Sequence, residues 1–243
     1  MDGNLGVLRE SLPRLAEGVL VTLQLTLGGA LGAFVLAVVL GLLARSGSTL
    51  VRALVRVVVE FFRGTSLLVQ LFWLFFVLPL LGVELEPMTC GILALSLNYG
   101  AYGAEVVRGS VAAVDRGQWE AAHALGMSAA HRMRRIIFPQ AWALMLPSLA
   151  NLLIQLLKGT AVVTFITLSD LTFHIEQLRQ STGSTLFAFT VGLLLYFVLA
   201  YLLNLGMNVL EIRAKHTLGR GRSMREIWLP TRPKPVETGG EQP

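Results

Sequence analysis

The sequence predicts an all-α, polytopic membrane protein with five transmembrane helices. Composition is the first reason: 54% of the residues are hydrophobic and 14% charged, against roughly 25% charged in soluble domains. The second is that the charges are clustered and leave long uncharged runs, as membrane-crossing helices require. The third is that the basic residues flank apolar runs, which fits orientation in a bilayer better than a nucleic-acid-binding face. The length suits one membrane domain, residues 19–211, between an N-terminal segment, 1–18, and a tail, 212–243.

Residues 1–18 are polar and mixed in charge, and Ser11-Leu12-Pro13 predicts the cap of a short helix lying on the surface. The run from Val19 to Leu43 is the first span. It is longer than a signal-peptide core and follows acidic Asp2, Glu10 and Glu17, so it reads as a retained helix. Its Gly28 and Gly32 form a small-xxx-small pair, which lets another helix approach closely; glycine is also simply common in membrane helices. After Arg45, Arg52 and Arg56, the stretch Glu60 to Gln70 leads into an apolar run to Val83, the second span. Glu84 to Pro87 make a short acidic loop, and the third span runs from about Met88 to Val107. Its Cys90, the single cysteine, sits in an apolar run and reads as a small buried hydrophobe. The fourth span covers about 141–157, with Pro147 predicted to kink or break it. Residues 170–180 read as a mixed polar loop, the fifth span lies within 185–210, and residues 230–243 read as disordered.

Five spans put the termini on opposite sides. Segments 44–63, 108–135 and the tail from 211 hold four, five and seven basic residues and fall on one side. The positive-inside rule makes that side cytoplasmic, with the N-terminus and residues 1–18 outside.

Between the third and fourth spans lies a polar, basic stretch, 117–139. Glu120 to Leu125 favour a short helix. Gly126 suits its stop, because glycine accepts a left-handed backbone. Ser128 then caps a second helix over 129–138. The product is a helix–glycine–helix knuckle on the cytoplasmic surface.

The spacing Glu120-Ala121-Ala122, then Gly126, then Ile136 and Pro139 resembles the EAA loop of ABC-transporter membrane subunits, with Phe138 where leucine is usual. Glu60 to Gln70 resembles the E-F-F-R-G-T-P-L-L-V-Q signature of the polar-amino-acid permeases, with Ser66 in place of proline. Asn98 to Gly109, Gly117-Gln118-Trp119-Glu120, Pro139-Gln140-Ala141 and Leu156 to Ala161 resemble further segments of that family. The runs 72–79 and 166–171 look most like its ectoine/hydroxyectoine permease subunit.

The resemblance implies a type I ABC importer transmembrane domain that carries a polar amino acid or compatible solute. It also implies three protein partners: a cytoplasmic ABC ATPase, an extracytoplasmic solute-binding protein, and a second permease subunit, either another copy or a homologous chain. Gly117, Gln118, Glu120, Ala121, Ala122, Gly126, Ile136 and Pro139 would then couple the chain to the ATPase. No cofactor is expected on this chain, since ATP and magnesium belong to the partner.

Other chemistries find no support. None of the three lysines, Lys158, Lys215 and Lys234, follows a Gly-x4-Gly, so no Walker A motif occurs and the chain is not read as an enzyme. His123 and His131 read as solvated loop residues, and no metal site is expected. Asn98 and Lys158 are candidate substrate-pathway residues, because polar groups at membrane depth are functional hypotheses; Lys158 has the alternative of snorkelling to an interface. Glu60 with Arg63, and Glu105 with Arg108, are each three apart and read as structural charge pairs. The rival class is an ion-gradient-driven secondary transporter or channel, which would need two matching halves.

Overall fold

The computed structural model describes the backbone of residues 2–217 and the side chains of residues 4–214. The segment 230–243 and most of the basic tail lie outside the described residues. Within them every regular element is helical.

Helix α1 (Asp2–Leu43) is continuous through Pro13. The short surface helix expected over residues 1–18 is therefore corrected: it is the start of the first long helix. Val7, Leu8 and Leu15 pack against Leu171, Ile175 and Leu178, and this apolar contact holds the early turns in line with the rest. Helix α2 (Thr49–Gly64) ends where Thr65 and Ser66 turn extended, and α3 (Leu67–Phe72) starts afresh. With the irregular turns that follow to Leu81, the second half leaves α2 at 101°. The second span is thus a broken pair and not one rod. Serine at position 66 still permits the break, because both residues there hold extended backbones.

A break inside a membrane protein frees backbone carbonyls that have no water to bond. Here side chains meet them. Gln70 Nε2 donates to the Phe62 carbonyl at 2.9 Å and to Thr65 Oγ1 at 2.6 Å. Asn98 Nδ2 donates to the same Phe62 carbonyl at 3.2 Å and to Gln70 Oε1 at 3.3 Å. Gln70→Leu removes one partner from three of these four bonds, all but the one from Asn98 to Phe62, and leaving a buried polar group unmatched costs about 1–3 kcal/mol. The expected result is a lower thermal unfolding midpoint for the detergent-solubilised protein; an unchanged midpoint would show that the break does not need this side chain.

Helix α4 (Pro87–Ala112) lies along α1. Cβ atoms built at the glycines show the register: Gly28 faces Ile92, Gly32 faces Ser96, Gly100 faces Leu36, Gly103 faces Ala37 and Gly41 faces Val107. Both numbers rise together, so the two helices are parallel. The close approach read into Gly28 and Gly32 is made here. Parallel neighbours require the chain between them, residues 44–86, to return across the layer. Helix α7 (Phe138–Gly159) runs back along α4: Tyr99 donates to the Gln155 carbonyl, and Val111 shares a cluster with Ile137 and Ala141. Helix α9 (Thr185–Thr217) reverses again, with Leu199 clustered near Leu157, and Met207 facing Leu149 and Leu153 across a cavity. This register is compatible with five crossings. By length and apolarity, α1, the helix through α7 and α9 span outright, and the bent pair makes a fourth. The more polar α4 has 26 residues, about 39 Å at 1.5 Å per residue, enough for the roughly 30 Å hydrocarbon layer.

Pro147 sits inside α7 without breaking it, so of the kink or break expected there the break does not occur. One further expectation is corrected. Residues 170–180 are no loop: α8 (Leu171–Thr182) is capped by Asp170, whose side chain accepts from Phe173 N, and ends at Gly183 with φ of 65°. Its Leu171, Ile175 and Leu178 form one buried stripe. On its outer side, Arg179 hydrogen-bonds Glu176 and holds that carboxyl down at about 2.

Candidate functional site

The knuckle forms as local chemistry dictates. Helix α5 (Arg116–Ala124) begins at Asp115, whose Oδ1 accepts from Gly117 N at 2.8 Å. At the other end Gly126 N donates to the His123 carbonyl and Met127 N to the Ala122 carbonyl, with Gly126 at φ of 70°. These two bonds around a left-handed glycine make a Schellman stop. Ser128 then caps α6 (Ala129–Arg132) by accepting from His131 N.

The second helix of the knuckle does not end at 138. It continues through a wide turn, Met133–Ile137, straight into α7. The cause is Pro139, which has no N–H for the Arg135 carbonyl and would crowd it in a regular helix. The wide turn absorbs this, with Phe138 N donating to the Met133 carbonyl five residues back. The knuckle is therefore welded to a spanning helix.

Several contacts stiffen the weld. Two guanidinium groups lie over the Trp119 ring, Arg45 at 5.4 Å and Arg132 at 5.6 Å from its centre. Gln140 donates to Gln118 Oε1 at 3.0 Å and to the Ile136 carbonyl. Ala122 is buried, and Ile136 packs with Val111, Val114 and Ile137. Gly117, Gln118, Glu120, Ala121, Ala122, Gly126 and Ile136 thus share one compact elbow, with Pro139 at its exposed exit. Leu125, at the tip, is 81% exposed, an apolar side chain presented to whatever docks there. Arg132 is within 3.4 Å of His123 Nδ1. No group of three or more His, Cys, Asp or Glu side chains placed to hold a metal ion occurs among the described residues.

A second polar region lies at membrane depth. On α7, Ser148, Asn151, Gln155 and Lys158 are all exposed, three or four residues apart and so on one face. They lie in an otherwise apolar helix, and no hydrogen bond of their side chains occurs among the described residues. Beside them stand the α2–α3 break and the charged end of α4. Tyr102 donates to the Arg63 carbonyl at 3.2 Å, and the Arg63 guanidinium lies over the Tyr102 ring. Arg63 meets Glu60 at 3.4 Å, and Arg108 meets Glu105 at 2.6 Å. Both pairs are therefore formed within their own helices. Gly159 abuts Tyr99 and Leu67, which sets Lys158 near the break.

Asn98 is 6% exposed and its amide is occupied by Phe62 and Gln70. It shapes the break from behind the polar face. Lys158 is on that face. Sequence reading passed over Ser148, Asn151, Gln155 and Gln70. The signal for the first three was present: polar residues recurring every three or four positions through an apolar run. Gln70 closes the Glu60–Gln70 signature but carried no sign of this role, since its partners come together only at the break.

Residues 33–216 match the family described as binding-protein-dependent transport system inner membrane component. A probable amino-acid ABC transporter permease protein of Sinorhizobium fredii, y4tF, is 44% identical and aligns over 86% of this chain and 90% of its own. The L-cystine transport system permease protein TcyB of Bacillus subtilis is 33% identical, over 83% and 86%. Among solved structures, an amino acid ABC transporter crystallised with histidines superposes with a TM-score of 0.78 at 32% identity, covering 85% of this chain and 96% of that one. The MetNI methionine ABC transporter, at 21% identity and a TM-score of 0.70, shares the fold. By the family match over residues 33–216 and the 44% identical relative, the chain belongs to the family of binding-protein-dependent transport system inner membrane components.

Proposed function

We propose that this chain is the permease subunit of an ABC importer for an amino acid or a related zwitterion, with the polar face of α7 lining the path and the α5–Gly126–α6 elbow taking the ATPase stroke. The observation that carries the reading is the exposed row Ser148, Asn151, Gln155 and Lys158 on a spanning helix. Such groups are costly against lipid, so this face meets water, solute or a second permease chain. The elbow lies at the opposite end of the same helix. Displacement of the elbow by a partner would tilt α7 as a rod and open the path at one end or the other, a rigid-body alternation.

The partners in this reading are a cytoplasmic ABC ATPase that holds Mg-ATP, an extracytoplasmic binding protein and a second permease chain. The basic elbow then faces the cytoplasm of a cell whose inner membrane the chain crosses, with its N-terminus outside. Uptake by proteoliposomes holding this chain, its ATPase and its binding protein should require internal ATP. Uptake on an ion gradient with ATP depleted would instead favour the secondary-transporter class.

The solute carries a carboxylate in this reading. Arg63 and Arg108 are already paired with glutamates, which leaves Lys158 as the cation on the face with no ion pair among the described residues. Its hydrogen bond to an ion is worth about 1.5–3 kcal/mol. Lys158→Gln should therefore raise the half-saturating solute concentration about 10- to 100-fold, with expression intact. An unchanged value would move Lys158 off the path. Ectoine, a zwitterion, is the narrower reading suggested by runs 72–79 and 166–171; a competition assay of ectoine against cystine, arginine and glutamine would decide it.

A further inference from the structure

Among the described residues one buried carboxyl keeps an oxygen with no hydrogen-bond partner. Asp170 is completely buried between α1, the turn after α7, α8 and α9. Its Oδ1 caps α8 by accepting from Phe173 N at 3.0 Å. Its Oδ2 is also buried and has no hydrogen-bond partner. As a carboxylate it leaves a charge unsatisfied, which low-dielectric surroundings penalise heavily. Burial accordingly pushes the Asp170 carboxyl up. As an acid, Oδ2 would give its proton to a single neighbouring oxygen, such as the Thr172 hydroxyl that adjoins the carboxyl, and would leave the remaining hydroxyl oxygens around it unused.

The surroundings are rich in oxygen and poor in charge. Thr22 and Thr160 are completely buried. Thr22 Oγ1 accepts from Leu171 N at 3.1 Å. Thr160 Oγ1 donates its proton to the Leu157 carbonyl at 2.7 Å, which leaves its lone pairs free. Thr172 Oγ1 and the Tyr196 hydroxyl are 2.8 Å apart, and Thr22 and Thr160 adjoin that phenol. The titratable neighbour that acts on Asp170 is His174, whose Nδ1 lies 3.3 Å from Gln177 Oε1. Among the described residues no Lys or Arg pairs with Asp170. Three residues upstream, Thr167 holds φ of 67°. A β-branched residue keeps that backbone only where its surroundings over-determine it.

We propose that Asp170, with the hydroxyl oxygens of Thr22, Thr160, Thr172 and Tyr196, binds one small monovalent cation of the sodium class. A cation offsets the carboxylate charge and draws on several of these oxygens at once, where a proton bonds only one. The donors are all hard oxygens, which suit alkali and alkaline-earth ions and not thiophilic metals. One carboxylate among neutral hydroxyls balances a single positive charge. The ion would tie the helices α1, α8 and α9 to the turn that follows Lys158 and Gly159, a role separate from moving solute.

The test uses the full-length permease, purified and placed in lipid nanodiscs. Radiolabelled sodium should bind saturably, at one ion per chain. The thermal unfolding midpoint should rise with sodium chloride but not with choline chloride at equal ionic strength. Asp170→Asn keeps an oxygen at the helix cap, since asparagine caps as well as aspartate, and should lose both responses. If that variant does not fold, Tyr196→Phe and Thr160→Val carry the test, each weakening sodium about fivefold or more. Equal stabilisation by choline, sodium binding that survives every one of these variants, or a midpoint that follows pH and ignores sodium would each overturn the assignment.

Discussion

Gly126→Val is expected to abolish ATP-driven uptake while leaving the protein inserted and folded. The space around Gly126 is open, with nothing within 4 Å of a built Cβ, so crowding is not the reason. The backbone is. At φ of 70°, a residue with a side chain pays about 1–2 kcal/mol, and a β-branched one is a true outlier. The cheaper response is to abandon the left-handed turn. The bonds from Gly126 N to His123 and from Met127 N to Ala122 then go, and α5 no longer meets α6 at a fixed angle. The spans are untouched, because their packing is made by other residues. A coupled assay reads the consequence: in the assembled transporter, ATP hydrolysis should persist or lose its response to the binding protein while solute uptake falls to background. Gly126→Asn is the control, since asparagine tolerates this backbone and should keep most of the uptake. Full uptake by the valine variant, at normal expression, would remove Gly126 from the coupling path.

The elbow is legible in the sequence because it is built from short-range rules. A glycine stop, a serine cap and helix-forming residues between them specify themselves within a few positions, and Gly126 and Ser128 take up those roles. What the residues could not disclose alone depends on distant partners. Residues 1–18 look polar in isolation, yet Val7, Leu8 and Leu15 find α8 and α9, which are encoded more than 150 positions later. The segment 170–180 mixes Asp170, His174, Glu176 and Arg179 and reads as a loop until Leu171, Ile175 and Leu178 are recognised as one apolar stripe. The break after Gly64 is foreshadowed by no proline; it persists because Gln70 and Asn98 are placed to receive its carbonyls. In the polar face, the period along α7 was readable and the pairing of Arg63 and Arg108 was anticipated. That Asn98 faces inward while Lys158 faces outward is a matter of helix rotation, which packing against α1 and α4 decides.

Gly41→Leu should be the most destabilising single change in the spanning region. A Cβ at position 41 would lie 2.7 Å from Val107 Cβ and 2.8 Å from the Ala104 carbonyl oxygen. Two of those obstacles cannot rotate away: a backbone oxygen and the first atom of a stiff β-branched side chain. Relief requires α1 and α4 to separate, and their contact runs from Gly28 against Ile92 to Gly41 against Val107. Overpacking of a well-filled contact typically costs about 1–3 kcal/mol, and here leucine adds a whole side chain where not even one carbon fits. Helix association within lipid rests on close van der Waals packing, without a hydrophobic drive to restore it, so the expected outcome is loss of the monodisperse, detergent-soluble protein. Gly109→Ala supplies the contrast. It lies on the partner helix α4, just beyond Val107, has nothing within 4 Å of a built Cβ, and gains helix propensity worth about 1 kcal/mol at most; its unfolding midpoint should match or slightly exceed that of the parent. If Gly41→Leu were as stable as Gly109→Ala, the parallel α1–α4 seam would not be the contact that holds the spans together, and the return of residues 44–86 across the membrane would lose its main structural argument.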